Sequence, residues 1–248
     1  MSHSTGSPPF DAAATRQAAS PHDRRARVEL IGLLALLLVT LAASLLKGQD
    51  IFIFAYIMTV IYALRRPLRM GRPWRELGLK VGFVDDLRRV WYLSALDAVL
   101  LQMLPPTLGI AFLFGYGREL VGHITARLPV DVASGAGLAA VAGLLAVALV
   151  LTLVEELVYR VTIQERLSWF IGTPAAILLT AVIFGLAHAV GTSGSPQVVL
   201  SDIAGVTLDG VFFGLIYAKT HNLALTWATH YAADVVGLLA LLSVFRGI

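Results

Sequence analysis

Cysteine is absent from this 248-residue chain. Disulfides, thiolate catalysis and cysteine-ligated metals are therefore excluded, and the redox compartment leaves no mark. Charge is scarce as well. Asp, Glu, Lys and Arg make up only 14% of the residues, where a soluble domain carries about 25%. Net charge is 19 − 16 = +3, so the placement of the basic residues matters more than their excess. No internal repeat is visible, and no low-complexity tract lies outside the N-terminal tail. What is present is apolar: 57% of the chain is hydrophobic. A soluble fold of this length cannot hide so much apolar surface. The expected fold class is all-α, a polytopic transmembrane helical bundle of about seven spans.

Residues 1–27 are rich in Ser, Ala, Pro and Arg and hold one aromatic residue, Phe10. They cannot bury a core and are expected to form a disordered cytoplasmic tail. The apolar run Val28 to Leu46 is too long for a signal-peptide core and lacks a cleavage site, so it reads as a retained first helix. Ile51 to Leu64 is a short second span. Arg65 to Arg89 holds eight basic residues against three acidic ones. Between two spans this is a positive-inside loop rather than a nucleic-acid patch. Within it Trp74 is placed to anchor a stretch lying in the interface. Val90 to Phe114 is a third span, broken by Pro105-Pro106, with Asp97 expected as a solvated helix start. Gly115 to Gly137 reads as a polar loop with Arg118, Glu119, His123 and Arg127. Four more helices follow: Leu138 to about Trp169, Pro174 to Ala189, Val198 to Lys219 and Leu223 to Val244. The chain thus divides into a tail (1–27), N-terminal spans with the basic loop (28–137) and a core (138–248). The N-terminus and the basic loop are expected on the cytoplasmic side of the plasma membrane.

Within the fourth helix stands the pair Glu155-Glu156. A charge at bilayer depth costs a few kcal/mol or more, so it needs a partner or a role. The helix does not end there. Leu157, Val158, Tyr159, Val161, Thr162, Ile163 and Leu167 continue the apolar pattern, and the first breaker is Gly172-Thr173-Pro174. Glu155 lies 17 residues before Gly172 and His188 lies 16 after it. In an antiparallel hairpin with a rise of about 1.5 Å per residue these two sit at nearly the same depth. A Glu and a His meeting among apolar helices suit a general base activating water, or a metal site. Arg160, four residues after Glu156, is spaced for an intrahelical ion pair. His230 and Asp234 share a face of the seventh helix, with Trp227 one turn before them. Counted from Asn222, His230 lies shallower than Glu155 and His188, so a helix that tilts or starts earlier, or a cavity sloping toward the cytosol, is expected. Asp202 and Asp209 either face that cavity or make structural hydrogen bonds. His123 and His221 are expected in solvated loops, and Gly185, Gly205, Gly210 and Gly214 at close helix contacts.

Three motifs in order, Glu155-Glu156-x-x-x-Arg160, Phe184-x-x-x-His188 and His230-x-x-x-Asp234, resemble those of the CAAX-protease and bacteriocin-processing (CPBP, or ABI) family, which includes the Ras-converting CAAX endopeptidases. Gly214, Ala218, Thr220, Asn222-Leu223 and Trp227 resemble the approach to its third motif, and the resemblance spans roughly residues 138–244. It implies an intramembrane metalloendopeptidase acting on a membrane-associated protein or peptide in the lipid bilayer. Glu155 and His188 would activate water. His230 and Asp234 would stabilise the oxyanion or bind a metal. Glu156 belongs to the catalytic set, and Arg160, Phe184 and Trp227 support it. The third motif often ends in Asn, which donates to an oxyanion; Asp234 would instead orient His230 or stay protonated. Two His and a carboxylate (Glu155, His188, His230) can form a zinc site. The same residues can also run a metal-free, glutamate-based hydrolysis. Two other classes compete: a non-catalytic membrane scaffold on the same fold, and a proton-coupled transporter relaying protons through Glu155, His188 and Asp209, which the missing repeat disfavours.

Overall fold

Apolar side chains cannot carry a chain through lipid unless the backbone satisfies itself, which helices do internally. The computed structural model describes residues 22–47, 51–70, 78–79, 82–98, 111–125, 135–190, 192 and 194–245, and these residues form helices and no strand. The helices are α1 (His22–Lys47), α2 (Phe52–Met70), α3 (Phe83–Asp97), α4 (Gly117–Thr125) and α5 (Gly135–Glu156). A π-helix follows over Leu157–Gln164, then α6 (Glu165–Ile171), α7 (Thr173–His188), α8 (Pro196–Thr220) and α9 (Leu223–Phe245). The protein is thus a helical membrane bundle. Among the described residues, four helices are long and apolar enough to cross a membrane: Ala26–Lys47, Ala139–Ile171, Pro196–Thr220 and Leu223–Ala240. Phe52–Arg65 and Thr173–His188 are shorter apolar helices.

Several boundaries differ from the sequence reading. Helix α1 begins at His22, inside the expected tail. Helix α3 begins at Phe83, so Arg88 and Arg89 belong to a helix rather than to the basic loop. Asp97 is not a solvated start but the buried last residue of α3, one turn beyond Leu93 on the face that holds Val90. The expected polar loop after Gly115 contains α4, which carries Arg118, Glu119 and His123. Trp74, Arg127 and Pro105-Pro106 lie outside the described residues.

Helix α5, the π-helix and α6 run on without a break, as the apolar pattern past Glu156 requires. The widened turns are visible in the bonding. Thr162 Oγ1 donates to the Leu157 carbonyl five residues back at 2.8 Å, and the Glu165 N–H reaches back five residues to the Arg160 carbonyl. Such turns are rare and concentrate at functional sites. Gly172, at φ 80°, ends the rod, and Pro174 sits in the first turn of α7. Helix α7 packs closely on α8. A Cβ at Gly185 would fall 2.7 Å from the Ile203 carbonyl, and one at Gly210 would fall 3.1 Å from Ala181 Cα. Gly205, expected at such a contact, faces open space.

The turn between α8 and α9 is pinned from two sides. The Leu223 N–H donates to the Gly78 carbonyl at 3.0 Å, and Asn222 Nδ2 donates to Asp86 Oδ2 at 2.9 Å. His221, in the left-handed conformation at φ 46°, places Nδ1 3.3 Å from Glu165 Oε2. It is therefore paired rather than simply solvated.

Candidate active site

Depth counting brings Glu155 and His188 to one level, and they meet there. His188 Nε2 lies 3.8 Å from Glu155 Oε1. Helix α7 is 16 residues long, about 24 Å, and so stops short of a hydrocarbon core of about 30 Å. His188 is its last residue.

His230 reaches the same place. Its Nε2 lies 3.7 Å from Glu155 Oε2. The two helix pairs turn at different levels, so His230 is not shallower than Glu155. The α8–α9 turn does not sit at the level of Gly172; it sits at the level of Glu165, where His221 meets that side chain. Glu155 lies 10 residues before Glu165, and His230 lies 9 after His221. The two counts then agree, and no tilt is needed.

Glu156 holds the site together. Its Oε1 accepts from His230 Nδ1 at 2.8 Å, and its Oε2 lies 3.4 Å from Arg160 Nε. Both Glu156 and Arg160 are fully buried. The i,i+4 ion pair expected from spacing is present, but it does not use up the carboxylate. For Asp234 the sequence leaves two roles, orienting His230 or staying protonated. Its Oδ1 is 3.9 Å from Nε2, beyond hydrogen-bond range, while Nδ1 belongs to Glu156. Orientation of His230 therefore comes from across the helix interface and not from its own helix.

Aromatic rings fix the imidazoles. Phe184 stands edge-on to His188 at 4.6 Å, to His230 at 5.8 Å and to Tyr159 at 5.0 Å between centroids, and the Arg160 guanidinium lies 5.5 Å from its ring centre. Phe213 stacks on His230 at 4.3 Å. Nothing in the sequence marks Phe213, which is one apolar residue among many on α8. Trp227 Nε1 donates to the Leu149 carbonyl at 2.9 Å, tying α9 to α5. Tyr56 OH donates to Tyr159 OH at 2.6 Å, which brings α2 against the rear of the site. Asp209, on α8, lies within electrostatic reach of Asp97 and also of His230, Asp234 and His188.

Exposure is graded. The Glu155 side chain is 19% exposed, His188 38% and Asp234 41%, whereas those of His230 and Glu156 are 6% and 1%. One side of Glu155 is reachable, and the other is backed by packed, paired groups. Both imidazoles engage Nδ1, His188 with the Phe184 carbonyl at 2.9 Å and His230 with Glu156, so each turns Nε2 toward Glu155. Two Nε2 atoms and a carboxylate have the chemistry of a zinc donor set. Their arrangement is that of one carboxylate spread between two rings. Among the described residues no group of three His, Asp or Glu side chains is placed to hold a metal ion.

Residues 137–236 match the family model described as type II CAAX prenyl endopeptidase Rce1-like. The matched segment begins within α5 and ends two residues past Asp234, so it contains every residue of the Glu155 cluster. No curated protein and no solved structure matches the chain.

Proposed function

We propose, from the match of residues 137–236 to the type II CAAX prenyl endopeptidase Rce1-like family model, that the chain is an endopeptidase working by glutamate-based hydrolysis inside the bilayer. The observation that carries this reading is the position of Glu155, between His188 Nε2 at 3.8 Å and His230 Nε2 at 3.7 Å, with one side open. A general base needs reach to its proton and neighbours that tolerate its change of charge.

Glu155, with His188, takes a proton from water as the water oxygen attacks the scissile carbonyl carbon. The negative charge on the carbonyl oxygen is met by His230, donating through Nε2. Nδ1–H remains bonded to Glu156, so the imidazole keeps its orientation as charge develops. Collapse of the tetrahedral intermediate breaks the C–N bond, and the proton held by Glu155 passes to the leaving amine. Asp234, at the exposed edge, faces the substrate side of His230.

A second reading places zinc at Glu155, His188 and His230. It is favoured by the two Nε2 atoms facing one carboxylate, each with its Nδ1 held by an acceptor. It requires the three donors to draw together. The substrate is a membrane-associated protein or peptide, with prenylated CAAX tails and leader peptides as the two classes to try. We place the N-terminus and the basic residues before α3 on the cytoplasmic side of the plasma membrane.

Purified protein in proteoliposomes, given tethered peptides with and without a prenyl group, tests the reading. Cleavage is expected from the wild type and absent from Glu155→Gln, His188→Ala and His230→Ala, each still folded. Wild-type turnover by Glu155→Gln would sink the mechanism. Metal analysis with chelator arms separates the two readings: activity that survives chelation supports the glutamate mechanism, and loss restored by zinc supports the second. Biological activity that persists in all three variants would point to a scaffold.

A further inference from the structure

The two ends of the bundle differ in charge. At one end the start of α1 meets the end of α2, where Tyr62 OH donates to Glu29 Oε2 at 2.6 Å. The Arg166 guanidinium lies 4.9 Å from the centre of the same Tyr62 ring. The α8–α9 turn is clasped at this end, by Gly78, Asp86 and Glu165. Arg24, Arg25 and Arg27 open α1, Arg65, Arg66 and Arg69 close α2, and Arg88 and Arg89 lie in the first turns of α3. At the opposite end α4 is tied to the start of α8. Glu119 Oε1 accepts from the Ser195 N–H at 2.6 Å, and Tyr116 OH and Ser201 Oγ share a hydrogen bond of 2.8 Å. Among the described residues this end carries Lys47, at the close of α1, and Arg118 of α4.

The Glu155 cluster is sealed toward the basic end. Arg160 and Gln164 of the π-helix, Phe213 and Tyr217 of α8 and Asn222 of the α8–α9 turn are all buried, and Gln164 Nε2 donates to the Gly214 carbonyl at 2.9 Å. The exposed groups stand in the other direction. Asp234, one turn past His230, and His188, at the end of α7, have side chains 41% and 38% exposed. A carboxylate and an imidazole so open need water around them rather than lipid. That water is near. Gly185, three residues before His188, packs on Ile203, seven residues from the start of α8 at Pro196, so the opening lies within about 10 Å of that end of α8.

Basic ends stay in the cytoplasm. We propose that the site is entered from the non-cytoplasmic side, and that its substrates are membrane-associated proteins or peptides whose cleavage segment has been carried across the bilayer. A tail that remains in the cytosol would meet the sealed end. The cavity thus slopes away from the cytosol, opposite to the slope that counting from Asn222 suggests. This rests on the endopeptidase reading and on the orientation given above.

Because the chain has no cysteine, single cysteines report sidedness without background. In intact cells expressing the full chain, a membrane-impermeant maleimide is expected to label Asp234→Cys, at the site, and Gln197→Cys, in the first turn of α8. Arg88→Cys, at the basic end, is expected to react only after permeabilisation. These reactions need no cleavage. Asp234→Cys that reacts only after permeabilisation, or from neither side, overturns the proposal. A second arm uses two single-span proteins carrying the unprenylated peptide of the proteoliposome assay beside the span, outside the cell in one and in the cytoplasm in the other. The wild type is expected to cut the outer segment at least about tenfold faster. Equal or reversed preference overturns the proposal, and this arm decides alone if Asp234→Cys does not fold. Failure of the endopeptidase reading looks different: neither segment is cut by the wild type, or Glu155→Gln cuts them, while labelling still decides the side of entry.

Discussion

Glu156 and His230, 74 residues apart in sequence, share a hydrogen bond of 2.8 Å with both side chains buried. Glu156 also meets Arg160, so one carboxylate carries charge compensation on one oxygen and ring orientation on the other. A Gln at this position keeps an acceptor for Nδ1–H but removes the charge that favours the imidazolium. Glu156→Gln is therefore expected to fold and to lose about a hundredfold in kcat with little change in KM. Steady-state cleavage with a thermal melt in the same detergent checks both halves. A rise in KM alone would mean that Glu156 contacts substrate instead.

Arg160 is enclosed by the π-helix, Glu156 and the Phe184 ring. Removing one partner of a buried pair leaves the other uncompensated, at a cost of about 3–5 kcal/mol. Arg160→Ala should melt well below the wild type. The double variant E156Q/R160M removes both charges and is expected to regain most of that stability while remaining inactive. If the double variant is as unstable as the single, packing rather than charge explains the loss.

The contact of Glu155 with His188 was legible because an antiparallel hairpin with a marked turn turns residue counts into depth. The same count failed for His230, because the depth of the α8–α9 turn is a tertiary fact. It is set by Glu165 against His221 and by Gly78 and Asp86 clasping Leu223 and Asn222. Spacing along one helix made Glu156–Arg160 readable and also made His230–Asp234 look closer than it is. The bond that matters for His230 crosses between helices and leaves no period in the sequence. The π-helix has no compositional mark either: Leu157–Gln164 continues the apolar pattern as an α-helix would. Asp97 reads as solvated because nothing in the sequence packs Val90 and Leu93, on the same face of α3, against α8 and α9.

Trp227 donates to the Leu149 carbonyl, six residues before Glu155, and stands three before His230. It thus sets the distance between the two helices that bear them. Trp227→Phe keeps most of the ring but loses the donor, costing about 0.5–1.5 kcal/mol. Chemical or thermal denaturation should show that loss, together with a several-fold drop in kcat as α9 loosens on α5. A side chain serving only as an interfacial anchor would leave both unchanged on this substitution.

Two glycines on the α7 and α8 pair make opposite expectations. Gly185 lies on the turn of α7 that ends in His188, and a Cβ there would fall 2.7 Å from the Ile203 carbonyl. Backbone cannot yield as a flexible side chain can, so Gly185→Val must push α7 from α8 and carry His188 away from Glu155. A misplacement of about 1 Å in a reacting group can cost a hundredfold in rate. The variant should therefore lose activity out of proportion to its fall in melting temperature. Gly205 sits inside α8 with nothing within 4 Å of an added Cβ. Gly205→Ala gains helix propensity of about 0.5–1 kcal/mol and should melt at or above the wild-type temperature with unchanged cleavage. Melting curves and turnover of the two variants side by side decide this. Equal damage from both would mean that α8 needs its glycines for flexibility rather than for closeness to α7.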